Sequence, residues 1–175
     1  AEAPLCPSLG VSLEALERVD AALVIGGNPR KDQPIAGHRL RKAAIAGAKV
    51  MFVNPVDFEV LFDVHASSIV PPSRMAEALA GIAAALTTAA PADAIKHVIA
   101  AASPDENQRV IAAALKKAEN AVLLLGNIAV MHPQYSLIRA LADVIADATG
   151  ATLGMLPEAA NTVGGWLAGV LPHRG

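Results

Sequence analysis

Two glycine-asparagine turns carry the residues of this sequence that are best suited to bind a ligand. Each follows a short apolar run: the first is Gly26-Gly27-Asn28-Pro29 and the second is Gly126-Asn127. Glycines let the backbone approach a phosphate closely, and the N–H groups at the start of a following helix favour anions. Arg30 and Lys31 add two cations after the first turn. The pattern is therefore compatible with phosphate or nucleotide binding.

An ordinary tight turn is the alternative interpretation of the same residues. The first turn lacks the third glycine of GxGxxG and the Gly-Lys-Ser/Thr ending of a P-loop. Glycine and asparagine redirect the chain wherever a tight turn is needed, and Arg30 and Lys31 would then be solvated. Spacing alone favours this second interpretation, for Gly126-Asn127 as well.

The remaining polar residues form no catalytic or metal-binding pattern. The acids at 57, 59 and 63 have no partner base, and Ser67 and Ser68 have no GxSxG context. The histidines show no HExxH or paired-ligand spacing; they are His38, His65, His97, His132 and His173. Cys6 is the single cysteine, which excludes an internal disulfide or a cysteine-held cluster within this chain. We predict no catalytic residue and no metal site.

A repeated pattern of elements positions the two turns. Apolar runs at 21–25 and 49–53 flank an amphipathic segment at 34–46, and runs at 121–125 and 151–156 flank another at 134–148. Such βαβ units have parallel strands, and any ligand crevice opens at the carboxyl ends of the strands. The sequence therefore predicts an α/β fold, doubly wound, with a mostly parallel sheet and helices on both faces, and it predicts both turns at one edge.

The length of 175 residues fits a single domain. We divide it into a βαβ half at 12–72, a helical connection at 73–118, a second βαβ half at 119–157 and an irregular tail at 158–175. Within these parts, Ser12 predicts the start of a helix before the first strand, and residues 67–70 predict a further strand. Ser103 with Glu106 predicts the start of a helix that reaches Ala118. Residues 87–93 are expected to form a linker.

Composition excludes two classes of partner. A net charge of −2 and an aromatic content of 3% disfavour binding to nucleic acid. Mean hydropathy is +0.44, but the longest apolar stretch, at 78–90, is shorter than the ~20 residues that a spanning helix needs. We predict no direct membrane insertion.

The start at Ala1, without methionine or leader, indicates a segment of a longer protein.

Three separated motifs resemble the molybdopterin-oxidoreductase-like region of the G subunit, the large iron-sulfur subunit of bacterial NADH:quinone oxidoreductase (respiratory complex I). They are GGNPRKDQP at 26–34 with HRLRKA at 38–43, LLGNIA at 124–129 with HP at 132–133, and LPEAANTVGG at 156–165 with GVLPHR at 169–174. The resemblance implies a fragment of a longer subunit whose cysteine-rich N-terminal part, outside this chain, holds iron-sulfur clusters.

The resemblance also implies a role and partners. The fragment is expected to have no activity of its own and to be a scaffold that supports electron transfer from NADH to quinone by the intact complex. Its expected partners are other parts of the parent subunit and neighbouring subunits of the peripheral arm, on the cytoplasmic side of the bacterial inner membrane. We expect an apolar docking surface around Trp166, Leu167 and Val170.

Related formate dehydrogenases and nitrate reductases bind a molybdopterin guanine dinucleotide at the corresponding turns. By resemblance, the matching positions here are Gly26, Gly27, Asn28, Pro29, Asn54, Pro55, Gly126, Asn127 and Asn161. The molybdenum enzymes typically have Asp-Pro-Arg where this chain has Asn54-Pro55-Val56, so a charge-assisted contact and a cation are lost. No molybdenum ligand can be assigned either, which implies a vestigial site with no cofactor in this fragment.

Two further functions remain open at this stage. The first is a working binding module for a guanine or adenine dinucleotide, as in the molybdenum enzymes. The second is an α/β enzyme that resembles the central domain of thiamine-diphosphate enzymes, although the lack of an acid-base pair argues against it.

Overall fold

A computed structural model describes residues 6–86 and 93–170 of the chain. The sheet has five strands: β1 (Ala21–Ile25), β2 (Lys49–Asn54), β3 (Ala66–Ile69), β4 (Ala121–Leu125) and β5 (Thr152–Met155). The α-helices are α1 (Pro29–Asp32), α2 (Pro34–Ile45), α3 (Met75–Leu86), α4 (Asp93–Ala101), α5 (Glu106–Lys117), α6 (Asn127–Val130), α7 (Tyr135–Thr149) and α8 (Thr162–Leu167). Short 3₁₀ turns lie at Ala15–Arg18 and Pro72–Arg74.

All neighbouring strands are parallel, in the order β3-β2-β1-β4-β5. β1 and β4 lie side by side at the centre, with Ile25 opposite Leu125, and every residue of both strands is buried. Continuous apolar runs are expected for parallel strands that are covered on both faces. The chain leaves β1 toward β2 and leaves β4 toward β5, in opposite directions. The turns after β1 and β4 therefore meet where the strand order reverses, the usual position of a ligand crevice.

Helices cover both faces of the sheet, which confirms the predicted α/β fold. One face packs against α3, α5 and α7, including Leu79, Ile111 and Leu141. The other face packs against α2 through Ala36, Leu40 and Ala43, together with Leu16 of the first 3₁₀ turn. The small alanine side chains of α2 allow this helix to lie close to the strands.

Three local expectations differ from the structure. The helix expected after Ser12 is only a 3₁₀ turn, although the Ser12 hydroxyl accepts a hydrogen bond from Ala15 N. The capping box of α5 is formed by Asp105 and Gln108, whose side chains each bond the other's backbone N–H, and not by Ser103. The tail expected to be irregular contains α8.

Other local expectations have different outcomes. The strand predicted at 67–70 is confirmed as β3. The linker expected at 87–93 and the end of the tail, at 171–175, lie almost entirely outside the described residues. No helix in the described ranges is long and apolar enough to cross a membrane.

Candidate functional site

The two glycine turns are in direct contact at the carboxyl edge of the sheet. The carbonyl oxygen of Gly26 accepts hydrogen bonds from Ile128 N at 2.9 Å and from Ala129 N at 3.3 Å. A Cβ on Gly126 would lie 2.5 Å from both Gly26 O and Gly27 Cα. The absence of side chains therefore lets the turns pack against each other, and a ligand at this edge would have to lie above the joined turns.

Gly26 is needed for the contact between the turns. Its φ of +62° lies in the left-handed region that favours glycine. A Cβ there would also approach Ala129 N to 2.5 Å. The positive φ of the turn and the close approach of Ala129 in α6 each require glycine here, so the structure accounts for this residue without a ligand.

Asn54 fastens the first glycine turn to the end of β2. Its side chain is 1% exposed. The Nδ2 atom donates to Gly27 O at 3.0 Å, and Oδ1 accepts from Gly27 N at 2.9 Å. The side-chain amide of Asn54 therefore both donates to and accepts from the backbone of Gly27. The predicted site residue Asn54 thus lies at the predicted edge, but its polar atoms face the protein; Pro55 follows it, partly buried.

The backbone N–H groups of the first turn all have acceptors within the chain. Gly26 N donates to Val53 O at 2.8 Å, and Gly27 N donates to Asn54. Asn28 N donates to a carboxylate oxygen of Asp32 at 3.3 Å. In a phosphate-binding turn such N–H groups face the phosphate. Here the Asp32 carboxylate accepts a hydrogen bond from one of these N–H groups, and its negative charge would repel a phosphate bound at the same place.

The segment after β1 also contacts the loops after β2 and β5. Arg30 Nη1 donates to the Glu59 carboxylate at 2.9 Å and to Glu59 O at 3.2 Å. Gln33 Nε2 donates to Pro157 O at 3.1 Å and to Leu156 O at 3.4 Å. Pro29, which is buried, begins α1 between these contacts. The carboxyl edge is therefore a network of loops joined by hydrogen bonds.

The other predicted site residues have different surroundings. Asn127 is partly buried and begins α6, where its carbonyl accepts from Met131 N. Asn161 is exposed before α8, and its side chain lies over Gly164. No hydrogen bond joins Asn161 to either glycine turn within the described ranges. The structure thus brings together the turns after β1, β2 and β4, while Asn161 lies at the far end of the loop after β5, which contacts this edge through Leu156 and Pro157.

Two polar atoms at the edge have no partner among the described residues. Asn28 Oδ1 and Gln33 Oε1 are each inaccessible to solvent and accept no hydrogen bond from any described residue. A buried acceptor without a donor is costly, so these two atoms are the features of the edge that most favour a ligand. The sequence analysis did not identify Asp32 and Gln33 as residues of this edge. The only signal available for Asp32 was its place in the first turn after Pro29, where an acid is favourable.

An apolar groove of about 570 Å³ adjoins the edge on the side of α2. Its lining includes Leu9, Leu13, Gln33, Ile35, Leu156 and Val163.

Within the described residues no group of three or more His, Cys, Asp or Glu side chains could hold a metal ion.

Comparison with protein families assigns the class of this protein. The family model for molybdopterin oxidoreductase matches residues 7–172, so the chain belongs to the molybdopterin oxidoreductase family. Comparison with curated proteins found no match.

A similar chain occurs in the solved formyltransferase/hydrolase complex (FhcABCD) from Methylorubrum extorquens in complex with methylofuran. The TM-score is 0.54 at 15% identity, over 96% of this chain and 46% of that chain. At this identity the likeness concerns the fold alone, and this chain spans less than half of the other.

A pterin dinucleotide is the cofactor that the resemblance associates with these turns. The residues at the first turn do not fit its phosphates, because the three N–H groups already donate within the chain and one of them donates to Asp32. Asn54 lies at the position of the expected nucleotide contact, but its side-chain amide already donates to Gly27 O and accepts from Gly27 N.

Proposed function

We propose that this chain is a non-catalytic scaffold domain of the G subunit of NADH:quinone oxidoreductase. The observation that carries the scaffold role is the closure of the carboxyl edge by the chain's own groups. The glycine turns contact each other, Asn54 bonds Gly27, and the Asp32 carboxylate accepts from Asn28 N. Membership of the molybdopterin oxidoreductase family supports an oxidoreductase module, and the three motifs support the particular subunit.

The contacts between loops explain how such an edge serves a scaffold. The segment after β1 is bonded to the loops after β2, β4 and β5 through Arg30, Gly26 and Gln33. Loops that bind substrates usually need freedom to move, whereas these loops restrain one another. The edge is therefore joined by the chain's own groups, as expected for a surface on which the parent subunit assembles.

Binding of nucleotides provides the first test. Titration of the 175-residue chain with GDP, NADH and FAD by calorimetry should give no affinity tighter than about 1 mM, which corresponds to about −4 kcal/mol. Asn28→Ala should leave this result unchanged, as should Asn107→Ala, a matched change at an exposed asparagine on α5. Micromolar binding of GDP that Asn28→Ala abolishes and Asn107→Ala retains would contradict the scaffold role.

Such binding would instead support the second function, a working dinucleotide-binding module. The unpartnered Asn28 Oδ1 favours that function, because a ligand N–H would supply the missing donor. The Asp32 carboxylate and the bonded Asn54 amide weigh against it.

Assembly of the parent complex provides the second test. A variant that forces the glycine turns apart, Gly126→Ala, should lower the amount of assembled complex in membranes of the host bacterium. Turnover per assembled complex and the KM for NADH should stay unchanged, because the proposed domain contacts no substrate. A normal amount of complex with an altered KM would contradict the scaffold role.

A further inference from the structure

A second, half-enclosed pocket lies beside the end of the first glycine turn, at Pro29, between α2 and the loop that joins β2 to β3. Its volume is about 210 Å³. Its apolar wall includes Pro34, Val60 and Phe62, and its basic side chains are Arg30, His38 and Arg41. No carboxylate is among the described residues that line it.

The sequence of α2 places these groups on one side of the helix. Pro34, His38 and Arg41 follow the i, i+4, i+7 spacing of a single helical face. Across the pocket, Arg41 Nε donates to Leu61 O at 3.0 Å, and Phe62 stacks on Phe52 of β2 with ring centroids 6.5 Å apart. Both walls are therefore anchored to the fold.

The two guanidinium groups keep most of their donors. Arg41 uses only Nε, and Arg30 uses only Nη1, within the part of the chain that the structure describes. Glu59, which pairs with Arg30, is 80% exposed, so solvent screens this pair strongly. The pocket thus presents planar, bidentate donors beside an apolar wall, the arrangement that suits a carboxylate with an apolar body.

We propose that this pocket binds a small organic carboxylate with a flat apolar body. The carboxylate accepts hydrogen bonds from Arg30 and Arg41, and the apolar body lies against Val60 and Phe62. The volume restricts the ligand to about the size of a single substituted ring. Pro29 and Arg30 belong both to this pocket and to the segment after β1, but the proposal does not depend on the scaffold role, since it needs no contact between the joined Gly26 and Gly126 turns.

Benzoate is the probe that tests the proposal. In an NMR titration of the ¹⁵N-labelled 175-residue chain, benzoate should shift the backbone N–H signals of Gly37 and His38 saturably, with a Kd on the order of 1 mM. Benzamide, which has the same ring without the charge, and inorganic phosphate, which has charge without a ring, should each bind at least about tenfold more weakly.

Variants separate the pocket from nonspecific anion binding. Arg30→Gln and Arg41→Gln should each weaken benzoate binding roughly tenfold, because each removes a charge-assisted hydrogen bond. Arg109→Gln, at an exposed arginine on α5, is the matched control and should leave the affinity unchanged. The free variants should keep the wild-type spectrum outside the pocket, which shows that they fold. The proposal is overturned by a lack of saturable shifts with benzoate, by equal binding of benzamide or phosphate, or by unchanged affinity in both pocket variants.

Discussion

Asn54 shows how one amide determines the shape of the glycine turn. Replacing it by aspartate, the residue that the molybdenum enzymes typically have there, removes the donor to Gly27 O and buries a carboxylate beside that oxygen. We expect Asn54→Asp to lower the free energy of unfolding by about 2–3 kcal/mol at neutral pH, measured by urea denaturation. Lowering the pH should recover part of this loss, because protonation of the new carboxyl restores a donor.

Asn107→Asp is the matched control for this prediction. Asn107 is exposed on α5, so the same change of chemistry should alter the free energy of unfolding by no more than about 0.5 kcal/mol. A comparable loss in both variants would show that the effect comes from net charge, and would contradict the role assigned to the Asn54 amide.

Tyr135 provides a prediction for pH dependence. It is the single tyrosine of the chain, and burial raises the pKa of its phenol above the ordinary value, while Arg139 opposes the shift. A raised folded-state pKa means that the native state retains the proton longer than the unfolded state does. The stabilising contribution is therefore complete below the unfolded pKa of about 10 and is lost as the pH rises through the folded pKa. Ultraviolet titration of the phenolate, in buffer and in urea, should show the higher pKa in buffer; equal values would contradict it.

The sequence predicts the positions of the edge residues but not what they contact. Gly26, Asn28 and Asn54 are recognisable from their places after apolar runs. That the Asn54 amide meets Gly27 depends on the register of β1 and β2, with Ile25 opposite Val53, which no local pattern encodes. The hydrogen bond from Asn28 N to the Asp32 carboxylate could not be predicted either, because the direction of that side chain is set by the short α1.

The contact between the β1 turn and the turn after β4 is the central feature at the scale of elements. Gly126 has a φ of −91°, which any residue can adopt, so only the space around it requires glycine. A Cβ there would lie 2.5 Å from Gly26 O and Gly27 Cα. We expect Gly126→Ala to lower the free energy of unfolding by about 2–4 kcal/mol, measured by urea denaturation, because backbone atoms must shift.

Gly165→Ala is the control for that prediction. Gly165 lies in α8, and nothing would lie within 4 Å of an added Cβ. Because alanine favours a helix over glycine by up to about 1 kcal/mol, this variant should be neutral or slightly stabilised. Equal destabilisation by the two substitutions would contradict the steric argument.

Elements with strong periodicity were predictable, and those that depend on competing caps were not. The amphipathic segment predicted at 134–148 forms α7, which ends at Gly150 with a φ of +71°. At the start of α5, the sequence predicted a cap at Ser103 with Glu106, but the structure has the cap at Asp105. The structure uses Asp105 because the side chain of Gln108, three residues later, returns a bond to its backbone N–H.

The order of strands is the property of the whole molecule that sequence reasoning could not supply. The connection from β3 to β4 could have crossed on either side of the central strand. In the structure α3 and α5 pack on one face, and β4 is placed beside β1, opposite β2. This choice joins the two glycine turns, so the closed edge is a consequence of topology as much as of the turn residues.

The expected docking surface gives a prediction at the scale of the whole molecule. Leu167 and Val170 are 70% and 72% exposed, and Trp166 is partly buried. We expect the double variant Leu167→Lys, Val170→Lys to change the free energy of unfolding of the chain by no more than about 0.5 kcal/mol, because neither side chain packs in a core. Under the proposed scaffold role, it should also lower the amount of the proposed parent subunit that assembles into its complex, since exposed apolar groups mark contact surfaces. Ile45→Lys, at a side chain 68% exposed on α2, controls for added charge and should leave assembly unchanged. A large loss of stability in the double variant would place these side chains in the domain's own packing, and normal assembly would remove the docking role.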